Sequence, residues 1–170
     1  MAENPMKKIR IEKITLNIGC GGEQVKIDKA KKLLEYLTGK KPIITKSKRR
    51  STFGVTKGKP LGVMVTLRKK DAIEFLKRSL QAVENKLKIS QFDKEGNFSF
   101  GINEYIDIAN AKYQHDIGIL GLDVNITLER AGFRIKKRKI QRRKIPTKHN
   151  INKKDAVEWV KNSFKVEIVE

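Results

Sequence analysis

Apolar and polar residues alternate along several short stretches of this chain, and a period of two is typical of half-buried β-strands. Residues 9–19 alternate in this way, but the phase changes after Ile11, which predicts a strand with a β-bulge near Glu12. Further strands are predicted at residues 42–46, 61–68, 97–102, 122–128 and 165–169. Phe98 and Phe100 share one side of their strand, where we expect them to pack in the core, with base stacking as the alternative.

Three other stretches carry apolar residues on one side of an amphipathic helix, and in the first of them Ala30, Leu33, Leu34 and Leu37 follow the spacing i, i+3, i+4 and i+7. Asp28 is predicted to cap the first helix, Asp71 the second and Asn152 the last. The apolar side of the second helix is predicted to consist of Ala72, Ile73, Leu76, Leu80, Val83 and Leu87. Phe75 can extend that apolar side.

The order of these elements, β-α-β-β-α-β-β-α-β, predicts an α+β fold. We expect a mainly antiparallel sheet with helices packed on one face, an open polar face on the other, and a long basic loop. A basic extension at about residues 131–150 precedes the C-terminal helix and a short final strand. The chain of 170 residues is long enough for one core, so we predict a single domain over residues 1–170.

Positive charge is concentrated in two segments of the chain. The whole chain has 39 Lys and Arg against 19 Asp and Glu, a formal net charge of +20. Residues 40–59 hold 8 basic residues, residues 134–148 hold 9, and neither segment contains an acidic residue. Outside them, 22 basic residues face 19 acidic ones. Such patches predict a polyanionic partner, RNA or DNA rather than an anionic membrane, with a merely solvated basic surface as the alternative.

Short neutral polar residues point outward from three of the predicted strands. They are Thr15, Asn17, Thr66, Asn125 and Thr127. Their hydroxyl and amide groups suit directional hydrogen bonds to sugars, phosphates or base edges, and an ordinary Thr-rich β surface is the alternative. The long cations of the basic segments would add phosphate attraction that raises affinity without reading sequence.

Enzyme and metal signatures are weak in this sequence. Cys20 is the only cysteine, so an intramolecular disulfide is excluded and a reducing compartment fits. With His115 and His149 it gives no common zinc spacing, and the glycines at residues 19–22 fit no phosphate-loop motif. Asp123 is the only carboxylate on the predicted open face. We therefore predict no enzyme, cofactor or metal, with an RNA-modifying enzyme or a DNA-binding regulator as alternatives.

Membrane and export signals are missing as well. No apolar run approaches the roughly 18 residues that span a bilayer, and the N-terminus carries no apolar core of a signal peptide. We expect a cytoplasmic protein that makes no membrane contact.

Several short motifs together resemble one known family. They are Leu-Asn-Ile-Gly at residues 16–19, Leu-Thr-Gly-Lys-Lys-Pro at 37–42, Thr-Lys-Ser-Lys at 45–48, Pro-Leu-Gly-Val at 60–63, Val-Thr-Leu-Arg at 65–68, Phe-Ser-Phe-Gly-Ile at 98–102 and Gly-Leu-Asp-Val at 121–124. In this order they resemble the family of ribosomal protein five of the large subunit, over roughly residues 7–130. The basic extension and final helix resemble its archaeal and eukaryotic branch.

The resemblance implies a non-enzymatic part of the central protuberance that binds 5S rRNA through the sheet face. The RNA-contacting asparagine of the family falls on Asn17 and its threonine on Thr66, while Lys40 stands where a glutamine is frequent. The full set expected to contact 5S rRNA is Thr15, Asn17, Lys40, Thr66, Arg68, Asn125 and Thr127.

The resemblance also implies further partners. The basic loop is expected to face the P-site tRNA with Lys46, Lys48, Arg49, Arg50, Lys57 and Lys59. Apart from the resemblance, we expect the positive charge of the extension to add contacts to large-subunit rRNA through Arg134, Lys136, Lys137, Arg138, Arg142 and Arg143. A bridge to a protein of the small-subunit head is implied as well, and we expect a monomer outside the ribosome.

Overall fold

The structure, a computed structural model, describes residues 4–51 and 54–169. Its strands are β1 (Ile9–Gly19), β2 (Ile43–Lys46), β3 (Pro60–Leu67), β4 (Lys86–Lys88), β5 (Phe98–Ile102), β6 (Leu122–Arg130) and β7 (Glu167–Val169). Its α-helices are α1 (Gln24–Thr38), α2 (Lys69–Ala82), α3 (Arg134–Lys137) and α4 (Lys153–Phe164). Single 3-10 turns lie at Pro5–Lys7, Ile89–Gln91, Tyr105–Asp107 and Thr147–His149.

Five strands form one sheet in the order β2-β3-β1-β6-β5, and every neighbouring pair in it is antiparallel. The central strand β1 pairs with β3 on one side and β6 on the other. Its register with β6 shifts between Ile11 and Lys13, which confirms the bulge predicted at Glu12. The sheet and its helices confirm the predicted α+β class.

Helices α1 and α2 pack against one face of this sheet. The alternating apolar residues of β1, Ile14, Leu16 and Ile18, are buried beneath them. Phe98 and Phe100 are only 3% and 4% exposed, which confirms that they pack in the core and excludes base stacking by either ring in this structure. Because one face of the sheet is filled in this way, its other face is left for outward-pointing polar residues.

Two of the predicted helix starts were wrong. Helix α1 begins at Gln24, one turn before Asp28, whose carboxylate accepts a hydrogen bond from the Gln24 amide at 3.3 Å. Helix α2 is preceded by Arg68, and Asp71 lies inside its first turn. The start of α4 after Asn152 is confirmed, although the Asn152 side chain makes no capping hydrogen bond. In α2 the acidic residue lies in the first turn, where the helix dipole favours it.

The end of α2 was also predicted wrongly. The helix ends at Ala82, and two residues further on Glu84 and Asn85 have left-handed φ angles of +54° and +56°, which are incompatible with a continuing α-helix. Leu87 is buried, but it lies on β4, which pairs in parallel with β7 at the C-terminus. Ile73 is 44% exposed, and the buried side of α2 passes through Phe75 instead, which is 1% exposed.

Candidate nucleic-acid interface

Four strands bring neutral hydrogen-bonding side chains into one row on the open face of the sheet. Thr15 lies opposite Thr66 of β3 and Asn125 of β6, and Asn125 lies opposite Ser99 of β5. Residues directly opposite each other in antiparallel strands point to the same face. With neighbouring strands about 4.8 Å apart, the row presents three hydroxyls and one amide across roughly 14 Å.

Further polar groups flank this row along the strands. Asn17 lies opposite Asp123, and Thr127 lies opposite Lys13. The structure therefore brings Thr15, Asn17, Thr66, Asn125 and Thr127 onto one face, where Thr66 and Asn125 are exposed and the other three are half-buried. Partial exposure lets such groups make directional hydrogen bonds to a docked partner while their neighbours hold them in place.

The sequence interpretation overlooked parts of this face. Ser99 was not included, although its alternation with Phe98 and Phe100 places it outward. Met64 and Ile43 lie opposite each other beside Asn17, and Ile43 is 62% exposed. Ile43 and Met64 therefore form an apolar patch near the β2 edge of the face, which the short sequence stretch at residues 42–46 does not reveal by periodicity alone.

The basic loop continues the β2–β3 hairpin. The Ser47 amide donates to the carbonyl oxygen of Lys59 at 2.8 Å, and the Gly58 amide donates to that of Ser47 at 2.9 Å, so the base of the loop is closed. Residues 52 and 53 of the loop lie outside the described residues. Its cations are exposed and form no ion pair with any residue that the structure describes: Lys46, Lys48, Arg49, Arg50, Lys57 and Lys59. Unpaired exposed cations of this kind are free to attract a polyanion.

Lys40 lies away from the loop cations, between α1 and β2. Its ammonium group contacts the Asp71 carboxylate in the first turn of α2. The hydrogen bond and charge of Lys40 lower the pKa of Asp71. Both side chains are about half exposed, so this pair contributes little to folding and Lys40 can exchange it for another anion.

Glu12 organises the charges at the bulge. Its side chain is 11% exposed, it contacts the Lys137 ammonium, and its Oε1 lies 3.6 Å from Nη1 of Arg68. Burial raises the pKa of Glu12, but the hydrogen bond and charge of Lys137, with the charges of Lys13 and Arg68, outweigh burial and lower it overall. The Glu12 carboxylate at the bulge therefore contacts Arg68, which lies between β3 and α2, and Lys137 of the extension.

The basic extension separates into anchored and free cations. Lys137 contacts Glu12, and Lys136 lies 3.4 Å from Glu95. Arg138 donates from Nε to the carbonyl oxygen of Gln141 at 3.0 Å. The others, Arg134, Arg142 and Arg143, are exposed and form no side-chain ion pair within the described chain. The sequence interpretation treated all six alike because it had no means of seeing Glu12 and Glu95 as their partners.

Other sites for chemistry are sparse. Among the described residues, no three His, Cys, Asp or Glu side chains come close enough to hold a metal ion. Cys20 is 7% exposed, and burial raises the pKa of its thiol. His149 is half-buried, with Nε2 2.8 Å from the carbonyl oxygen of Ala131. In the described part of the chain, no helix combines the length and the apolarity needed to cross a membrane.

Comparison with known proteins identifies close relatives. Residues 4–55 match the family model described as ribosomal protein L5, and residues 60–159 match the one described as the ribosomal L5P family C-terminus. The large ribosomal subunit protein uL5 of Sulfurisphaera tokodaii is 49% identical over 169 residues, which cover 98% of this chain and 96% of the relative. The uL5 proteins of Sulfolobus acidocaldarius and Nanoarchaeum equitans are each 46% identical, covering 99% and 98% of this chain and 95% and 99% of the relatives.

Proposed function

The chain belongs to the ribosomal protein L5 family, and from this premise we propose that it binds 5S rRNA through the open face of its sheet, in the central protuberance of the large ribosomal subunit. Membership makes it a structural, non-enzymatic component of that subunit. The observation that carries the proposal is the row of Ser99, Asn125, Thr15 and Thr66 across four strands.

The chemistry of this row supports RNA over a protein partner. A protein interface core is enriched in aromatic residues, Met and Arg, whereas the centre of this face carries hydroxyls and amides. RNA displays 2′-hydroxyls, phosphates and base edges that such groups recognise. Because the row is uncharged, its hydrogen bonds depend on the geometry of the partner more than on salt, so it supplies specificity where the surrounding cations supply affinity.

Binding to two RNAs of equal length tests the proposal. In a filter-binding assay at physiological salt, we expect the full chain to bind 5S rRNA more tightly than an unrelated RNA by at least about a thousandfold, the lower end of specific over non-specific nucleic-acid binding. In the cytoplasmic ribosome we expect two RNA partners, 5S rRNA and large-subunit rRNA. Repeating the assay with the large-subunit rRNA segment that surrounds 5S rRNA shows which of the two the chain binds more tightly. Equal affinity for 5S rRNA and the unrelated RNA would sink the proposal.

The basic loop is proposed to contact the P-site tRNA and to contribute to the bridge with the small-subunit head. Its exposure and its unpaired cations support contact with a second polyanion, because the sheet does not need them to close the hairpin. The loop and the row have different chemistry, one charged and one neutral. We therefore expect the two contacts to be separable by mutation.

The triple variant K48Q/R49Q/R50Q tests this separation. We expect it to bind 5S rRNA within about threefold of the wild type, because three exposed charges away from the row add only non-specific attraction. Subunit joining and tRNA retention should both weaken in ribosomes that carry it. A matched control removes three exposed charges from helices, K77Q, K154Q and K161Q. Loss of 5S rRNA binding in the loop variant, or the same joining defect in the control, would contradict the separation.

A further inference from the structure

An open groove of about 770 Å³ lies beside the bulge of β1, between the start of α2 and α3. Its basic lining residues come from three distant parts of the chain: Arg10, Arg68, Lys69, Arg134, Lys137 and Arg138. Glu12 and Glu129 are the two acidic residues in its lining. Six cations against two carboxylates leave the groove strongly positive, and four of the six are arginines, whose forked guanidinium matches the geometry of a phosphate.

The two carboxylates of the groove are more deeply buried than the arginines that they contact. Glu129 and Glu12 are 18% and 11% exposed, whereas Arg10 and Arg68 are 63% and 56% exposed. Arg10 donates to Glu129 from Nε at 2.9 Å, and Lys137 contacts Glu12. Each acid therefore contacts one side of a charged head group, and the guanidinium groups of Arg10 and Arg68 keep their remaining N–H donors exposed to the groove. Side chains held in place before binding lose less conformational entropy on binding.

Lys137 also fixes the extension to the body of the protein. Its ammonium contacts Glu12 and lies 3.9 Å from Glu129, so one residue of α3 is tied to both β1 and β6. Arg134 begins α3 and Arg138 directly follows it, but neither forms an ion pair with the described residues. The groove is thus formed in the free protein, and it keeps two arginines without an acidic partner.

The groove continues from the open face of the sheet. Arg68 follows Thr66 by two residues on the same strand path, which places it about 7 Å further along. Glu129 of β6 lies opposite Arg10 of β1. Counted along the two strands, this pair comes two pairs after Thr127 and Lys13, on the other side of the bulge. A strand of nucleic acid lying on the neutral row therefore meets the charged groove next.

We propose that this groove binds the phosphodiester backbone of the RNA strand where it leaves the open face of the sheet. The inference rests on the proposed function, because it assumes that RNA occupies that face. The neutral row makes the directional contacts, and the arginines of the groove bind successive phosphates. Glu129 holds Arg10 in position and Glu12 holds Arg68, while Arg134 and Arg138 have no acidic partner in the described chain. The basic extension then acts as one wall of a binding site and not as a loose cationic tail.

The double variant R134Q/R138Q tests the groove. Neither residue has an ion pair in the described chain, and the hydrogen bond from Arg138 to the carbonyl oxygen of Gln141 is exposed, so the variant should keep a thermal midpoint close to that of the wild type. The matched control, K139Q/K148Q, removes two exposed charges from the same extension outside the groove. Filter binding of the full chain to 5S rRNA is measured over a series of KCl concentrations. Because the variant no longer neutralises two phosphates of a single strand, we expect a salt slope smaller by about 1.4 and roughly tenfold weaker binding at about 0.15 M salt.

The contrast between the two variants decides the proposal. We expect the control to change the affinity by less than about twofold, because its charges face solvent and not a fixed phosphate. Equal losses of affinity in both variants would mean that only total charge counts, and an unchanged R134Q/R138Q would mean that no phosphate sits in the groove; either result overturns the proposal. A separate comparison tests the proposed function itself: if the wild type bound 5S rRNA and an unrelated RNA equally tightly, the proposed function would be wrong, whatever the variants show.

Discussion

Replacing Glu12 with Gln should loosen the attachment of the basic extension to the sheet. The substitution keeps the shape of the side chain but removes the charge that Lys137 contacts and that Arg68 approaches at 3.6 Å. A hydrogen bond to a charged group contributes about 1.5–3 kcal/mol. Because Lys137 is 48% exposed, the lower end applies, and we expect E12Q to cost about 1.5 kcal/mol. For a chain of this size that is a fall of roughly 3–6 °C in the thermal midpoint.

The effect should depend on pH in a direction fixed by the pKa of Glu12. Lys137, Lys13 and Arg68 outweigh burial and hold this pKa below its ordinary value of 4.5. An unfolded chain titrates at the ordinary value, so the stabilisation by the ionised carboxylate is complete above pH 4.5 and is lost as the pH falls through the lower folded pKa. The difference in thermal midpoint between wild type and E12Q should therefore close as the solution is acidified below pH 4.5.

A second glutamate gives the control for this experiment. Glu23 pairs with Lys26 at 2.8 Å, but both side chains are more than half exposed, so E23Q should leave the thermal midpoint nearly unchanged. Thermal unfolding followed by circular dichroism measures both variants, and amide hydrogen exchange over residues 134–138 reports whether α3 is released. Equal effects of E12Q and E23Q, or a difference that persists unchanged in acid, would refute the assignment of Glu12 as the anchor.

Two further outcomes can be checked on the free protein. A Cβ at Gly62 would lie 2.4 Å from the carbonyl oxygen of Ile18, so G62A should lower the free energy of unfolding, measured in urea, by about 1–3 kcal/mol. In the control G101A the nearest atom to the new Cβ is Asp123 Oδ1 at 3.7 Å, so this variant should lose much less stability. Equal losses in the two variants would contradict the close approach of β1 and β3. Cys20 is buried, and burial raises the pKa of its thiol. Iodoacetamide at pH 8 should therefore label the folded protein at least about tenfold more slowly than the urea-unfolded protein. Equal labelling rates would show that the thiol is accessible.

Local patterns in the sequence predicted the sheet well because its strands are buried on one face only. The phase change after Ile11 located the bulge at Glu12, and the alternation of β1, β3 and β6 placed Asn17, Thr66 and Asn125 on the open face. Each of these inferences needs only the period of two that a half-buried strand imposes. These inferences do not require the register between strands, because residues that lie opposite each other in paired strands point to the same face of the sheet.

What the sequence could not predict involves contacts between distant segments or single backbone angles. Leu87 has the spacing of a helical residue, but the left-handed backbone at Asn85 sends it to a strand that pairs with the C-terminus. Nothing local to Lys137 shows that Glu12, more than a hundred residues earlier, is its partner. The groove in particular arises only when β1, the start of α2 and α3 come together, so composition reveals its charge and not its shape.

The central claim is that the neutral row on the sheet, together with Asn17 beside it, and not the total charge, confers RNA specificity. The double variant N17A/T66A tests it, with N162A/S163A as a control that removes an amide and a hydroxyl from an exposed part of α4. At about 0.5–1.5 kcal/mol per hydrogen bond, we expect N17A/T66A to bind 5S rRNA roughly tenfold more weakly and unrelated RNA within about twofold of the wild type. An equal loss of affinity for both RNAs, or the same loss in the control, would contradict the claim.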